Sequence, residues 1–150
     1  MKNFMKTLLF LACILFTPAL YAEEKAVIIV SEDVDISDMS KTDLQNIFLG
    51  RKTLWEDGKK IQISLSNEDE AMLNKFLAQN VGKTQRRYKK YWLKKVFAGY
   101  GVAPKIFTNN EKAIEYVKDQ EHAIAFVMID DTQIPNGLKI VSIEGKEYFN

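Results

Sequence analysis

The sequence predicts an α/β protein whose sheet is mostly parallel and flanked by helices. Short runs of apolar, often β-branched residues recur along the chain, and such runs are typical of buried strands. Between them lie segments whose apolar residues recur every three or four positions, which is typical of amphipathic helices. Strands separated by helices favour parallel pairing, because a helical crossover returns the chain to the same end of the sheet.

Residues 1–22 are expected to be a secretory signal peptide. Lys2 and Lys6 give a positive start, residues 7–16 are almost entirely apolar, and Ala22 offers a small residue for cleavage. The apolar run is shorter than the roughly 20 residues that span a bilayer. Two alternatives stay open, a membrane anchor and a lipoprotein signal built on Cys13. Cleavage after Ala22 would give a periplasmic or secreted protein.

Residues 23–150 are expected to form one domain, since their number suits a single hydrophobic core. Basic and acidic residues nearly balance in this part of the chain, so no overall field would attract polyanions. The only cysteine, Cys13, lies in the leader. The domain therefore cannot use disulfides or thiolate chemistry, and its stability must come from packing.

The predicted elements follow the order β-α-β-α-α-α-β-β. A strand at 26–30 precedes an acidic loop that extends to residue 39. Ser40 caps the first helix, with Asp43 reaching back as in a capping box, and Gly50 ends that helix. A second strand at 61–65 then leads into the second helix, which Ser66 or Asn67 is expected to cap.

The second half of the chain is predicted to hold two more helices and two more strands. Gly82 precedes a helix at 84–97, and Asn109 or Asn110 starts the last helix. Apolar runs at 123–128 and 138–143 predict the remaining strands, and residues 145–150 are expected to be a tail.

The segment 83–95 holds seven basic residues among aromatic ones. One interpretation is a nucleic-acid or polyanion surface on which bases stack. The other is an amphipathic helix, because Tyr88, Tyr91 and Trp92 fall on one face at helical spacing. On the second interpretation the aromatic side chains belong to the core and the bases to a solvated face.

The junction at 64–70 joins the second strand to a helix. The N-terminus of a helix attracts anions, so Ser66 and Asn67 are candidate ligand contacts. Three acids follow directly, Glu68, Asp69 and Glu70, and they would repel an anion. The alternative is that this junction only caps its helix.

The residue types of catalytic and metal sites are sparse. His122 is the only histidine, so no second imidazole is present to build a metal site, and it is expected to be a surface or capping residue. The clusters Asp33/Asp35/Asp38 and Asp130/Asp131 lack the spacing of a calcium loop. No Gly-x-Ser-x-Gly motif occurs. The chain is therefore expected to be non-enzymatic and to need no cofactor.

Three segments carry a resemblance to a known family. They read "IFLGRKTLW", "YWLKKVFAGYGVAP" and "HAIAFV" in this order. The chain resembles the phosphate-binding-protein-like (PstS-like) family of periplasmic solute-binding proteins, over about residues 26–143. The resemblance implies one lobe of the type-II periplasmic-binding-protein fold, whereas full-length members close two lobes over an anion.

Two departures from the family pattern affect the ligand. Family members that bind phosphate place a glycine-serine element at the start of the helix after the second strand, where this chain has Asn-Glu-Asp-Glu-Ala at 67–71. His122 and Ala125 stand where the family has glycines, and a Cβ prevents the close backbone approach that glycine permits.

Two functions are compatible with these observations. The first is binding of phosphate or another small anion for an ABC uptake or sensing system. Its candidate contacts are Ser31, Ser66, Asn67, Arg51 and Lys52, because ligands of open α/β sheets lie beyond the carboxyl ends of strands. The second is a ligand-free scaffold that docks on an envelope protein. Neither involves nucleic acid or an integral membrane location after cleavage.

Overall fold

Six strands and four α-helices build the part of the chain that the structure, a computed structural model, describes, namely residues 23–130 and 134–150. The expected signal peptide lies outside these residues. The strands are β1 (Glu24–Ser31), β2 (Asp38–Met39), β3 (Gln62–Ser66), β4 (Lys105–Phe107), β5 (Ala123–Asp130) and β6 (Leu138–Ile143). The helices are α1 (Lys41–Phe48), α2 (Glu70–Phe76), α3 (Gln85–Phe97) and α4 (Asn110–Asp119), with one π-helical turn, Leu77–Val81, directly after α2.

The strands form one sheet in the order β2-β6-β1-β5-β3-β4. β3 pairs in parallel with both β4 and β5, and β2 pairs in parallel with β6. β1 lies between β5 and β6 and is antiparallel to both. Five strands therefore run in one direction and β1 alone runs in the other. The predicted α/β class with a mostly parallel sheet is confirmed.

The sheet is covered on both faces. Because successive side chains of a strand point to opposite sides, each central strand contributes to two cores. Ile28 and Val30 of β1 join the core beneath α1, α2 and α3, together with Leu65 and Phe126. Val27 and Ile29 of the same strand, with Ala113 and Val117 of α4, form the core of the other face. This two-sided burial explains the unbroken apolar run of β1, and within residues 23–130 and 134–150 both cores begin at residues 26 and 27 of that strand.

Side chains of α3 complete the C-terminal end of α1. Tyr88 Oη and Trp92 Nε1 both donate to the Phe48 carbonyl, at 2.7 and 3.1 Å. Tyr91 Oη donates to the Leu49 carbonyl at 2.6 Å. The last carbonyls of a helix have no partner within it, so these bonds satisfy groups that would otherwise be orphaned. The aromatic face of α3 is therefore core, as the amphipathic interpretation predicts.

Two short edge strands and the tail differ from the sequence predictions. The acidic loop before residue 40 contains β2, and the segment after α3 contains β4, each too short for a periodic signal. The expected tail returns to the sheet, because the Phe149 N–H donates to the Ala26 carbonyl at 2.9 Å and the Phe149 ring contacts those of Phe76 and Phe126. Among the described residues, no helix has the length and apolarity that crossing a bilayer requires.

Candidate functional site

The candidate site is the edge of the sheet at which β3 and β4 end and α2 and α4 begin. Because these strands are parallel, their carboxyl ends meet there, and Ser66 is paired with Phe107 at that edge. Open α/β sheets bind ligands beyond such ends. This edge is called the carboxyl edge below, and the opposite end of β3 and β5 is called the amino edge.

Ser66 and Asn67 both lie at the carboxyl edge, but their polar atoms contact their own chain. Ser66 is buried, and its Oγ accepts a hydrogen bond from the Glu68 N–H at 3.3 Å. The Asn67 N–H donates to the Phe107 carbonyl at 2.8 Å, and Asn67 Oδ1 accepts from Gln85 Nε2 at 2.9 Å. These two residues therefore hold β3, β4 and α3 together at this edge.

Acidic residues occupy the start of α2. The N-cap is Asp69, whose Oδ1 accepts from the Met72 N–H at 2.9 Å. The prediction that Ser66 or Asn67 caps this helix is wrong, because β3 extends through Ser66 and the turn places the cap two residues beyond Asn67. Glu70 then adds a second carboxylate in the first turn. Both acids complement the helix dipole, so this helix end is already neutralised.

The carboxylate of Glu68 lies at the start of α4. Glu68 Oε2 accepts from the Asn110 N–H at 2.6 Å, while Asn109 caps the helix through the Lys112 N–H at 2.9 Å. Asn110 is buried, and its Oδ1 accepts from the Met128 N–H. Its Nδ2 has no partner among the residues that the structure describes. The α4 start is thus a position that binds an anionic oxygen, here supplied by the chain itself.

Ser31 lies at the other end of the sheet. β1 runs against its neighbours, so its carboxyl end meets the amino ends of β5 and β6. Ser31 is buried, its Oγ donates to the Gln120 carbonyl at 2.8 Å, and the Ala123 N–H donates to the same Oγ at 2.8 Å. Ala123 is paired with Gln62, four residues before Ser66 and roughly 13 Å away along the strand. Ser31 and Ser66 therefore lie at opposite edges of the sheet.

Arg51 and Lys52 also lie at the amino edge, since their loop returns to the start of β3 through the Ile61 N–H bond to the Thr53 carbonyl. Lys52 Nζ lies 3.2 Å from the Glu56 carboxylate and 3.6 Å from that of Asp43. Arg51 is exposed. Neither side chain reaches Ser66 or Asn67, so the structure divides the five predicted contacts between two edges.

A hollow of about 100 Å³ opens beside this loop. Its polar lining includes Lys52, Lys60 and Lys105, and no acid is among its lining residues. The amino edge therefore offers positive charge without donors at a helix start, whereas the carboxyl edge offers such donors beside negative charge.

His122 supports the amino edge structurally. Its backbone φ is +61°, its N–H donates to the Asp33 carboxylate at 3.1 Å, and its Nδ1 contacts the same carboxylate. Its carbonyl accepts from Trp55 Nε1 at 3.0 Å and from the Gln62 N–H at 3.1 Å. This contact explains why a tryptophan follows the basic pair of the first quoted segment. No group of three potential metal ligands occurs within 23–130 and 134–150.

The fold is similar to that of solved phosphate-binding proteins. PstS from Borrelia burgdorferi matches 85% of this chain and 50% of its own, with a TM-score of 0.62 and 17% identity. A putative phosphate ABC transporter substrate-binding protein with bound phosphate from Clostridium perfringens matches 85% of this chain and 48% of its own, with a TM-score of 0.62 and 16% identity. An ABC-type phosphate transport receptor from Vibrio cholerae matches 85% of this chain and 49% of its own, with a TM-score of 0.60 and 16% identity.

These likenesses are structural. No protein-family profile and no curated protein sequence matches the chain. The chain spans about half the length of each of the three solved proteins. The resemblance read from the sequence is therefore confirmed at the level of the fold, as one half of a phosphate-binding-protein structure.

Proposed function

We propose that this chain is an exported, non-enzymatic binding domain of the solute-binding type, and that its site is the carboxyl edge. Phosphate or another small oxyanion is the solute class that the fold favours, for delivery to an ABC uptake or sensing system. The observation that carries the proposal is the 2.6 Å contact between Glu68 Oε2 and the Asn110 N–H. In this contact the Asn110 N–H at the start of α4 donates a hydrogen bond to an anionic oxygen.

Glu68 acts in this proposal as an internal competitor for the solute. A helix N-terminus binds carboxylate and phosphate oxygens through the same unpaired N–H groups and the same dipole. A solute oxyanion must displace the Glu68 carboxylate and then lie near the charges of Asp69 and Glu70. Two like charges about 5 Å apart repel by roughly 3 kcal/mol at an effective dielectric constant of 20. We therefore expect the unmodified chain to bind phosphate weakly.

Calorimetry with phosphate tests the proposal. We expect Glu68→Ala to bind phosphate at least tenfold more tightly than the wild type, because it removes both the charge and the competing oxygen. The phosphate affinity of Glu68→Gln should lie between those of the wild type and Glu68→Ala, because its amide oxygen still accepts from the Asn110 N–H but carries no charge. Glu147→Gln, which removes an exposed acid of the C-terminal segment, is the matched control and should bind as the wild type does.

Two results would change the proposal. If phosphate affinity falls in Lys105→Gln and does not respond to Glu68→Ala, the anion binds in the lysine-lined hollow of the amino edge. If neither the wild type nor Glu68→Ala binds phosphate at millimolar concentration while both remain folded, small-anion binding is rejected.

A second candidate function is a scaffold that has lost its solute and docks on an envelope protein. The observation that favours it is that the polar groups of Ser66, Asn67 and Glu68 are all engaged within the chain. In a pull-down from envelope extract, the wild type should then recover a specific protein. A variant with Arg86, Arg87, Lys89 and Lys90 changed to glutamate should not recover it. If the variant recovers the envelope protein as the wild type does, the basic residues of α3 are not the contact.

A further inference from the structure

Large apolar side chains are exposed together around the C-terminal half of α3. Leu93 and Phe97 are 59% and 84% exposed, and Tyr100 and Val102 in the following loop are 73% and 76% exposed. Outside this region, the other large apolar side chains with comparable exposure among the described residues are Leu54 and Ile134. Exposed apolar groups that are clustered, rather than scattered singly, mark interaction surfaces.

The exposed side chains of this region all belong to α3, the loop after it and β4. Leu93 and Phe97 are one turn apart on α3, so they share a face of the helix. Leu93 and Val96 line a hollow of about 260 Å³ together with Pro104, which precedes β4, and Ile106 of β4. The surface made of Leu93, Val96, Phe97, Tyr100, Val102 and Ile106 is called the apolar tip below.

The apolar tip lies in the most basic part of the chain. Residues 85–110 contain seven lysines or arginines and no acid, while all 20 Asp and Glu residues lie elsewhere. At 100° per residue, Leu93 and Phe97 project between Lys89 on one side and Lys90 and Lys94 on the other, and all three lysines are exposed. Lys95, by contrast, donates to the Gly50 carbonyl at 2.9 Å and faces the core.

We propose that the apolar tip and its flanking bases dock the protein on a membrane surface rich in anionic phospholipid. Basic residues attract anionic headgroups, while apolar side chains beside them enter the boundary between headgroups and acyl chains. The proposal concerns α3 and the loop after it, and it does not depend on whether the carboxyl edge binds a solute.

Charge and shape favour a bilayer over other occupants of this surface. A second copy of the chain would bring its own bases against those of the first. Tyr88 and Trp92, the aromatic side chains that lie among the bases of α3, are buried and cannot stack on nucleobases. The side chains of Phe97 and Val102 protrude, and a protrusion enters a lipid boundary without requiring the complementary pocket that a protein partner must supply.

Vesicle sedimentation tests the proposal with the chain from Glu23 onward, which contains both cores as the structure describes them and omits the apolar leader. The probes are vesicles of phosphatidylcholine alone and of an equimolar mixture with phosphatidylglycerol. We expect binding to the mixed vesicles only, weakened by salt because screening shortens the reach of the bases. Lys90→Glu with Lys94→Glu should lower partitioning more than tenfold, since each base contributes about fivefold near an anionic surface.

The apolar contribution has its own variant and control. Phe97→Ser with Leu93→Ser should lower partitioning about tenfold or more, because both side chains would no longer enter the lipid boundary. Leu54→Ser is the matched control, since Leu54 is 50% exposed outside the apolar tip, and it should bind as the wild type does. Far-ultraviolet circular dichroism checks that each variant is folded.

Three outcomes would overturn the proposal. The first is no binding of the folded wild type to the mixed vesicles at low salt. The second is equal binding by the Phe97→Ser/Leu93→Ser variant, which would indicate charge adsorption without insertion. The third is that an acidic envelope protein competes for the same surface while vesicles alone do not bind, which would assign the apolar tip to protein docking.

Discussion

Gly50 is the residue whose identity the structure constrains most visibly. Its φ is +62°, in the left-handed region that side chains with a Cβ rarely adopt. A Cβ placed on it would lie 2.4 Å from Cη2 of Trp92, well inside contact distance. The glycine that closes α1 is therefore required twice, once by the backbone turn and once by the indole of α3 packed against it.

Gly50→Ala is expected to destabilise the protein by about 2–4 kcal/mol, from overpacking against Trp92 and from the left-handed backbone. Urea unfolding measures this change. Gly58→Ala is the matched control, because Gly58 also has a positive φ of +82° but open space around it, so only about 1 kcal/mol is expected. Equal losses in the two variants would contradict the contact with Trp92.

Asp38 should give the protein part of its stability against acid. Its pKa is lowered, first by the hydrogen bond from Ser142 Oγ at 2.7 Å and then by that from the Gly145 N–H at 2.9 Å. A carboxyl group whose pKa is lower in the folded state stabilises the fold above the pKa it has when unfolded. That contribution is lost as the pH falls through the lowered pKa.

Asp38→Asn is accordingly expected to flatten the pH dependence of the free energy of unfolding below about pH 4, since an amide does not titrate there. Denaturant titrations at pH values from neutral to acidic measure the slope. Asp57→Asn changes an exposed carboxylate of the loop before β3 and is the control. If the free energy of unfolding of Asp38→Asn depends on pH below about pH 4 as that of the wild type does, the contacts with Ser142 and Gly145 do not persist in solution.

The candidate site was only partly predictable at the level of residues. The helix start after β3 and its acidic character are visible in the sequence, and Ser66 and Asn67 do lie at the expected edge. The bond from Asn110 to Glu68 joins residues 42 positions apart, and the bond from Gln85 to Asn67 joins residues 18 apart. No local pattern encodes such partners, so the internal carboxylate at α4 could not have been foreseen.

At the scale of elements, the packing of α3 against α1 explains why the first two segments of the family resemblance occur together. Tyr88, Tyr91 and Trp92 bind the carbonyls of Phe48 and Leu49, which belong to the first quoted segment. The two motifs are therefore halves of one structural contact between α1 and α3. None of these bonds involves the carboxyl edge, so the contact between α1 and α3 does not depend on which residues occupy that edge.

Tyr88→Phe tests this contact. Burial raises the pKa of the Tyr88 hydroxyl, so the group stays protonated and donates to the Phe48 carbonyl across the neutral and alkaline range. Its loss is expected to cost about 1–2 kcal/mol, because Trp92 still bonds the same carbonyl. Thermal unfolding measures the loss, and Tyr100→Phe, at an exposed tyrosine, should be neutral. Equal stability of wild type and Tyr88→Phe would contradict the contact.

The longer elements were predictable because each has its own local signal. Ser40 accepts from the Asp43 N–H and caps α1 as predicted, and Asn109 caps α4. β2 and β4 were missed because two or three residues are too few to show alternation. Their existence depends on pairing with β6 and β3, which the neighbouring sequence does not specify.

At the scale of the whole molecule, the direction of β1 decides where the predicted residues meet. The apolar run of β1 indicates burial on both faces but says nothing about the direction of the strands beside it. Because β1 is antiparallel to β5 and β6, Ser31 lies at the amino edge, where it contacts Gln120 and Ala123, rather than beside Ser66. The predicted class and layer order are thus correct, while the direction of β1, which is set by non-local pairing, separates Ser31 from Ser66.

The position of β1 also governs when the chain can acquire its native structure. The strand is made first, yet its partners β5 and β6 begin about a hundred residues later, and contacts so far apart in sequence slow folding. Until β5 emerges from the ribosome, the most apolar strand of the domain has no native neighbour. For a protein proposed to be exported, this delay keeps the polypeptide unfolded until synthesis is nearly complete, which is the state in which a chain can pass through a narrow channel.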